Sequence, residues 1–458
     1  MLGAVYIALE RWMRGNTARI SRWLDRMPVW YPRTLARAKL GRTLRHVWDN
    51  APAQRERWRA VGVRRGDLRN PRVLETLPMV TGDDLVERPD DFRCVPRDRL
   101  IHVLGTSGTR GRPKRIYLTA ADLDRQVSMI GTNMRRYPGA SRALAVFLVD
   151  NPTWSSGMIA RRGAQAAGML ALLSGSHRDV ADQVALIREY DVDFLITTPS
   201  YLHRITLEAD VDLRTLGVRY IQLSGQPWTE TFRAEMQAAW GAKLLDVYAS
   251  SEFACGIASE CIVQRGLHLA EADFWCEVID PATGRVLDEG EEGELVLTTL
   301  SRWGMPLVRY RTGDLARLLP FEGRCTCGMP LRKMSRVRGR VDGVVILGGG
   351  NNVYPDEFDR AVLDVDGVTE YQLVLERKDG IDVLHLAVET GAPAGVARET
   401  LVDALLSVPM VRTAHRVERT LDFGRLEAVP TGTLSDGRPK TDRIVDRRDV
   451  PRVTPEAT

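Results

Sequence analysis

The stretch "LGTSGTRGRPKRIYLT", Leu104–Thr119, concentrates hydroxyl residues, glycines and cations and then turns apolar. Small residues leave backbone N–H groups free to turn inward, and successive inward N–H groups form a concavity that binds anions such as phosphate. Gly108 and Gly111 can adopt the positive φ that such a shape requires. The positive potential of the stretch comes from four cations, Arg110, Arg112, Lys114 and Arg115. The pattern predicts a loop that binds a polyphosphate, although the same residue types also build ordinary surface turns.

This loop differs from the two common phosphate-binding fingerprints. It lacks the Gly-Lys-Ser/Thr ending that a Walker loop places before a helix, and it does not match the Rossmann fingerprint. The loop alone therefore leaves the type of nucleotide site open.

The composition sets limits on the class of protein. A chain of 458 residues is long enough for two or three domains, and 44% apolar residues is ordinary for a globular protein. With 64 basic and 60 acidic residues the net charge is only +4, which favours neither a nucleic acid nor a membrane as partner. The apolar opening "MLGAVYIAL" is too short for a membrane span and predicts the start of a packed helix. A cytoplasmic enzyme is expected.

Short β-rich runs alternate with helical stretches in the middle of the chain. Such alternation predicts βαβ units, a largely parallel buried sheet, and a ligand site beyond the carboxyl ends of the strands. The predicted strands are Ala143–Val149, Asp193–Thr198, Arg219–Ser224 and Lys243–Tyr248.

The flanking segments predict three further parts. The first hundred residues or so are Arg-rich and read as amphipathic helices, one of them capped by Thr81. The segment after Trp275 has hairpin punctuation and predicts an antiparallel β subdomain. From about Arg338, the helix "PDEFDRAVLDV", a hairpin, a helix near Val396 to Leu406 and the strand "HRVERTL" predict a small α+β domain. The predicted division is a domain of residues 1–338, a hinge of 339–342 and a domain of 343–458.

Six motifs follow one another in a defined order. They are "TSGTRGRPK", "SGQPWTE", "DVYASSE", "YRTGDL", "RGRVDGVVILGGGNNVYPDEFD" and "GRPKTDRIVDRR". This order resembles the acyl-adenylate-forming superfamily, and in particular its phenylacetate-CoA ligase-like branch. The resemblance implies an α/β fold, with a large N-terminal adenylating domain of parallel-rich sheets and a β subdomain, and a small mobile α+β C-terminal domain.

The resemblance also implies an ATP site with a role for each motif. Tyr248 would lie flat against adenine, and Asp246 would accept a hydrogen bond from the exocyclic amine. Asp314 would accept hydrogen bonds from both ribose hydroxyls, with Arg340 supporting the same sugar. The phosphate loop would contribute Thr106, Ser107, Gly108, Thr109, Gly111 and Lys114, and the segments around the nucleotide Ser224, Gly225, Gln226 and Ser251.

The chemistry follows from the same resemblance. Glu252 would ligate the Mg²⁺ ion that bridges the phosphates, a task for a hard oxygen ligand. Lys440 would stabilise the charge that develops as an acid attacks the α-phosphate and pyrophosphate leaves. The small domain would then rotate about Asp342, removing Lys440 and admitting the acceptor, which is coenzyme A in the ligases.

Cysteine and histidine are concentrated in two segments. "ECIVQRGLH" supplies Cys261 and His268, and "CTCG" supplies Cys325 and Cys327. Three sulfurs and one imidazole nitrogen are typical of closed structural zinc, with Cys255 as a substitute ligand. The alternative is a set of reduced, partly buried thiols, as is common in the cytoplasm.

Candidates for the acid pocket lie beside the predicted sheet. Asn151, Trp154, Ser155 and Tyr201 suit a small or aromatic acid better than a long alkyl chain. The predicted activity is an ATP-dependent aryl or arylacetic acid CoA ligase. Other acceptors or acids stay open: an amine, a carrier protein, or nitrite activated for diazotisation of an aryl amine. A non-catalytic nucleotide-binding protein is the alternative of another class, and a homodimer is left open.

Overall fold

The computed structural model describes residues 20, 23, 26–105, 114–137, 139, 142–147, 156–175, 178–347, 351–378, 381–434 and 442–448. Within these ranges, no helix has the length and apolar character needed to cross a membrane. The predicted helix "MLGAVYIAL" lies outside the described residues.

The helices and strands of the described residues have the following bounds. The helices are α1 Tyr31–Asn50, α2 Pro52–Ala60, α3 Gly82–Glu87, α4 Ala120–Met134, α5 Ser156–Ala166, α6 Val180–Glu189, α7 Pro199–Glu208, α8 Glu230–Trp240, α9 Pro355–Leu363, α10 Arg398–Ser407 and α11 Pro409–Arg412. The strands are β1 Leu100–Gly105, β2 Arg115–Thr119, β3 Ala143–Phe147, β4 Leu170–Leu173, β5 Phe194–Thr197, β6 Tyr220–Leu223, β7 Lys243–Ser250, β8 Cys255–Glu260, β9 Leu267–Leu269, β10 Phe274–Ile279, β11 Glu292–Thr299, β12 Tyr310–Arg317, β13 Lys333–Met334, β14 Gly339–Arg340, β15 Val345–Leu347, β16 Asn351–Val353, β17 Val368–Lys378, β18 Ile381–Thr390, β19 Leu421–Pro430 and β20 Ile444–Asp446.

An eight-stranded sheet in the order β13-β9-β8-β7-β6-β5-β3-β4 lies at the centre of the large domain. The strands from β4 to β7 pair in parallel, whereas β7 with β8, β8 with β9 and β9 with β13 pair antiparallel. Alternate residues of β3 enter two different hydrophobic clusters, so both faces of the sheet are buried. The four predicted strands and the parallel sheet are therefore confirmed, and the apolar runs have the composition expected of parallel strands.

The topology places the predicted nucleotide residues at one edge of this sheet. The carboxyl end of β6 is followed by Ser224, and the neighbouring β7 carries Asp246 and Tyr248. A second sheet, β10-β11-β12-β14, is antiparallel and confirms the predicted β subdomain. Its β12–β14 pairing sets Asp314 opposite Arg340.

One of the predicted N-terminal helices, α3, is capped by the residue that precedes it. The Thr81 hydroxyl accepts a hydrogen bond from the backbone N–H of Asp84, and the Asp84 carboxylate accepts from the backbone N–H of Thr81. This reciprocal capping box confirms the predicted cap of α3.

The C-terminal part has its own sheet and core. Strands β17 and β18 form the predicted hairpin, with β19 and β20 added in parallel on its two sides. A separate hydrophobic cluster includes Phe358, Leu373, Leu384 and Leu401, all without exposed surface. The predicted helices correspond to α9 and α10. This part is the small α+β domain.

The prediction of a strand in "HRVERTL" is wrong. Residues Thr413–Val417 form a helical turn of the π type, and β19 starts only at Leu421. The His415 ring stacks on Phe423 at 4.5 Å between ring centroids, and Arg419 takes a φ of 57°. A positive φ at a non-glycine residue interrupts an extended chain, and the exposed Val417 gives the segment no buried face.

A buried ion cluster anchors β20 to the small domain. The Arg443 guanidinium donates to Asp359 over 2.9 Å and to Glu370 over 2.5 Å, and both carboxylates are buried. Arg443→Ala leaves two buried carboxylates without their cation, and we expect it to cost about 3–5 kcal/mol of unfolding free energy. Denaturant unfolding of the full chain measures the effect. Arg447→Ala, which breaks only the exposed pair with Glu376, is the control and is expected to cost about 1 kcal/mol or less. Equal losses in the two variants would contradict the prediction.

Candidate active site

Glu252 lies in the short turn Ser251–Phe253 directly after β7 and is buried. Lys114, the residue before β2, donates a hydrogen bond from Nζ to Glu252 Oε1 over 2.6 Å. The Tyr310 hydroxyl donates to the same oxygen over 2.9 Å and accepts from Lys114 over 3.1 Å. The Ser250 hydroxyl donates to the other oxygen, Oε2. Lys114, which is predicted to bind the phosphates, and Glu252, which is predicted to bind the metal, are therefore in direct contact.

The surroundings of Glu252 keep its carboxyl group ionised. Burial by itself would raise the pKa of Glu252, but the charge and hydrogen bond of Lys114 and the hydroxyl of Ser250 outweigh burial and lower the pKa to about 2. An ionised carboxylate beside hydroxyl oxygens is the kind of donor set that a hard cation such as Mg²⁺ takes. The residues present therefore fit the metal that the resemblance assigns to this position.

Three residues predicted for adenine and ribose also come together. The Tyr248 hydroxyl donates to Asp314 Oδ2 over 2.7 Å, and Arg340 Nη1 donates to Asp314 Oδ1 over 3.1 Å. Burial, followed by the negative charge of Asp314, raises the pKa of Tyr248 well above its ordinary value. Tyr248 therefore keeps its proton, and its hydrogen bond joins β7 of the central sheet to β12 of the β subdomain.

Two hydrogen bonds to neighbouring segments fix the loop after β6. The Ser224 hydroxyl donates to the backbone carbonyl of Val247 over 3.2 Å, and Gln226 Oε1 accepts from the backbone N–H of Ser200 over 3.1 Å. Gly225 between them takes a φ of 90°, which favours glycine. The predicted adenine-side loop is therefore fixed at the carboxyl edge of the central sheet.

At the same edge, Asp246 contacts Arg336, which lies outside the six motifs. Arg336 donates from Nε to Asp246 Oδ2 over 2.8 Å. Its guanidinium carbon lies 3.8 Å from the centroid of the Trp228 ring, and Nη2 donates to the Trp228 carbonyl over 2.7 Å.

The segment before the predicted hinge contacts both domains through a second arginine. Arg338 donates from Nη1 to Glu292 of the β subdomain and from Nε to Asp356 of the small domain, each over 2.9 Å. Its guanidinium also lies 3.9 Å from the centroid of the Tyr354 ring. The predicted hinge residue Asp342 follows in the turn Val341–Gly343, with its side chain outside the described residues.

Several predicted residues lie outside the described part of the chain. These are Thr106, Ser107, Gly108, Thr109 and Gly111 of the phosphate loop, Lys440 of the last motif, and Asn151, Trp154 and Ser155 of the acid pocket.

The remaining residue predicted for the acid pocket, Tyr201, is buried near the start of α7. Its ring packs edge-on against Phe147 at 6.1 Å between centroids. Its hydroxyl donates to the Arg178 carbonyl and accepts from Gln183, each over 3.1 Å. These contacts use both the ring and the hydroxyl inside the protein and favour a packing role.

The four residues of the predicted zinc set lie together at the end of the central sheet. The ligand atoms of Cys261, His268, Cys325 and Cys327 all fall within 4.8 Å of one another, and Cys327 Sγ is 3.4 Å from His268 Nε2. His268 Nδ1 lies 3.3 Å from the Leu331 carbonyl, a partner that leaves Nε2 free to ligate. The side chain of Cys255 lies outside the described residues. Three sulfurs and one nitrogen at this spacing fit a tetrahedral zinc site.

Sequence reasoning missed three residues of this region. Tyr310 is the first letter of "YRTGDL", and Arg336 and Arg338 precede Arg340 at a period of two in "RVRGR". Arginines spaced two apart directly before a predicted hinge are a signal that could have been used, since side chains of that spacing share one face of an extended chain.

Comparison with known proteins shows which family the chain belongs to. The AMP-binding enzyme family matches residues 38–301, and the AMP-binding enzyme C-terminal domain matches residues 350–448. The phenylacetate-coenzyme A ligase of Aromatoleum evansii is 30% identical over 427 residues, 91% of this chain and 94% of that protein. The phenylacetate-coenzyme A ligase of Thermus thermophilus is 32% identical over 406 residues, 86% and 88% of the two chains.

A solved structure shows the same fold. The crystal structure of 2-hydroxyisobutyryl-CoA ligase in complex with 2-HIB-AMP matches 92% of this chain and 90% of its own, with a TM-score of 0.77 and 23% identity. The chain therefore belongs to the AMP-binding enzyme family and is an AMP-forming acid ligase. Within the acyl-adenylate-forming superfamily, it is a member of the phenylacetate-CoA ligase-like branch that the order of its motifs predicts.

Proposed function

We propose that the protein adenylates a small aromatic carboxylic acid with ATP and then transfers the acyl group to coenzyme A. The observation that supports this most is the meeting of Lys114 with Glu252 and of Tyr248 with Asp314, across two sheets and from segments far apart in the chain. Such a strip of charged and aromatic groups offers partners for a phosphate, a metal, a ribose and a base.

Each group of the strip has a task in nucleotide binding. Tyr248 packs against adenine, Asp246 accepts from its amine, and Asp314 with Arg340 holds the ribose. Mg²⁺, held by Glu252, would offset the negative charge of the phosphates. The residues proposed to bind the phosphates are Thr106, Ser107, Gly108, Thr109, Gly111 and Lys114.

The reaction has two halves. In the first, a carboxylate oxygen bonds to the α-phosphorus of ATP and the bond to pyrophosphate breaks, while Lys440 stabilises the developing charge. In the second, the coenzyme A thiol loses its proton to solvent, its sulfur bonds to the acyl carbon, and AMP leaves. No protein nucleophile is needed, because the chain's side chains position the reactants and stabilise charge.

The two halves call for two positions of the small domain. We propose a large domain of residues 1–338, a hinge of 339–342 and a lid of 343–458 that turns about Asp342. The contacts of Arg338 with both domains support a boundary at this segment.

An aromatic acid is favoured by two observations. The predicted pocket residues Asn151 and Trp154 combine an amide with a large aromatic surface, and the two curated relatives described above are named for phenylacetate. A small polar-decorated ring fits such a pocket better than an alkyl chain.

Pyrophosphate release tests the proposal. Full-length protein with ATP and Mg²⁺ receives phenylacetate, benzoate, hydroxybenzoate, decanoate and nitrite in turn, with or without coenzyme A or an aryl amine. We expect the fastest release with an aromatic acid, and an acyl-CoA thioester when coenzyme A is present. Release driven by nitrite and the amine would replace the proposal by diazotisation, and ATP binding without release under any condition would overturn the proposed aromatic acid substrate.

We also propose that Cys261, His268, Cys325 and Cys327 hold a structural Zn²⁺ ion. The ion would connect the loop between β12 and β13 to Cys261 after β8 and to His268 on β9. Metal analysis of protein purified without chelator is expected to give about one equivalent of zinc per chain, and Cys327→Ala to lose most of it. Cys94→Ala, a buried thiol in another cluster, is the matched control and is expected to keep the ion. Less than about half an equivalent in the unmodified protein would overturn this proposal.

A further inference from the structure

We propose that Arg336 is a positioning residue that sets the preference for adenine over guanine by fixing the carboxylate of Asp246. The proposal rests on the nucleotide site of the proposed function. It concerns the base wall, the contacting group of Trp228, Asp246 and Arg336.

The base wall joins three segments of the large domain through one guanidinium. Arg336 donates to Asp246 Oδ2 over 2.8 Å, to Glu230 Oε1 over 3.0 Å and to the Trp228 carbonyl over 2.7 Å. The plane of the guanidinium is further held against the Trp228 ring, at 3.8 Å from its centroid. A planar fork with several fixed partners has little freedom to turn, so the carboxylate bound to it is held as well.

The main chain of Asp246 is held from the opposite side. Its backbone N–H donates to Glu260 Oε2 over 2.9 Å. Glu260 is itself buried and paired with Arg233 over 3.0 Å through each of its two oxygens. Both the backbone and the side chain of Asp246 are therefore fixed. A carboxylate at the surface of a strand does not require such fixing for the stability of the sheet.

A carboxylate fixed in this way can discriminate between bases. Oδ2 is occupied by Arg336, and among the described residues Oδ1 has no hydrogen-bond partner. An ionised carboxylate only accepts hydrogen bonds, so Oδ1 matches the 6-amino group of adenine and opposes the 6-oxo group of guanine. A freely rotating carboxylate could turn away from the oxo group, whereas one held by Arg336 cannot. Discrimination thus depends on the arginine as well as on the aspartate.

Direct binding of ATP and GTP, without any acid, tests the inference. Arg336→Met keeps the length of the side chain and its packing on Trp228 but removes the guanidinium. We expect it to weaken ATP binding about tenfold or more and GTP binding much less, so that the ATP/GTP affinity ratio falls. Arg336→Lys keeps the charge without the fork and is expected to restore only part of the ratio. Arg214→Met, in an exposed pair with Asp212, is the matched control and is expected to leave the ratio unchanged.

The outcomes separate this inference from the proposed function. Failure of the unmodified protein to bind ATP would overturn both. Binding of ATP by the unmodified protein with an unchanged ATP/GTP ratio in Arg336→Met would overturn only the role of Arg336. Equal weakening of ATP and GTP would assign Arg336 a general structural role and would also overturn the proposal, and the thermal midpoint of each variant records any such loss of structure.

Discussion

Replacement of Lys440 by alanine is expected to lower acid-dependent pyrophosphate release by about 10²–10³-fold. Lys440 is the cation proposed to face the oxygens between acid and α-phosphate, where negative charge develops as the anhydride forms. Removing one preorganised electrostatic partner of a transition state typically costs this much. Binding of ATP in the ground state is proposed to depend on the strip of nucleotide-binding side chains that includes Lys114 and Arg340. Because the substitution of Lys440 leaves these side chains in place, the affinity of the protein for ATP is expected to change little.

Two measurements separate these effects. Single-turnover formation of the adenylate gives the rate of the first half-reaction, and titration with ATP gives its affinity. Lys378→Ala is a matched control, because Lys378 is an exposed lysine at the end of β17 in the same small domain. Equal adenylation by Lys440→Ala and the unmodified protein would remove Lys440 from the mechanism. A parallel loss in Lys378→Ala would point to the folding of the small domain instead.

Glu252→Gln is expected to have the second largest effect, a fall in adenylation of about 10²-fold or more. The change keeps the shape of the side chain but leaves the Lys114 ammonium facing a neutral amide, and it removes the anionic oxygen proposed for Mg²⁺. Because the metal loses a charged ligand, the Mg²⁺ concentration that gives half-maximal activity is expected to rise.

A magnesium titration of pyrophosphate release distinguishes a metal ligand from a structural residue. Glu252→Asp keeps the charge with a shorter reach and is expected to recover part of the rate at high Mg²⁺. Glu399→Gln, at an exposed position of α10, is the control for loss of one carboxylate. If Glu252→Gln loses activity with an unchanged magnesium dependence, Glu252 acts on the position of Lys114 and not on the metal.

The sequence predicts best those parts of the fold that have a recognisable residue pattern along the chain. Apolar runs such as Phe194–Thr197 and Tyr220–Leu223 are buried along their whole length, and burial on both faces gives the continuous composition of a parallel strand. "HRVERTL" has strand-forming residues, yet the segment turns at Thr413–Val417 because the stacking of His415 on Phe423 and the backbone of Arg419 depend on three-dimensional neighbours.

The same distinction applies to the site. Motif order predicts that Lys114 and Glu252 belong to one site, and the structure places them in contact. The four metal-ligand candidates likewise come together as the spacing of Cys261, His268 and "CTCG" predicts. The spacing of the arginines could single out Arg336 but could not give its partners, because Asp246 and Trp228 are each about a hundred residues away in the chain.

Arg338 stands between Glu292 in the large domain and Asp356 in the small one, bound to each over 2.9 Å. A rotation at residues 339–342 would have to break the contact of this guanidinium with one of the two carboxylates, while its contact with the other carboxylate is kept. The rotation of the small domain would then start from a position that the ion pairs of Arg338 stabilise. Breaking one of these pairs would contribute to the activation barrier of the rotation. Dissolved salt weakens such partly exposed pairs. Ionic strength would thus act on how often the two half-reactions alternate, and much less on the bond-making steps themselves.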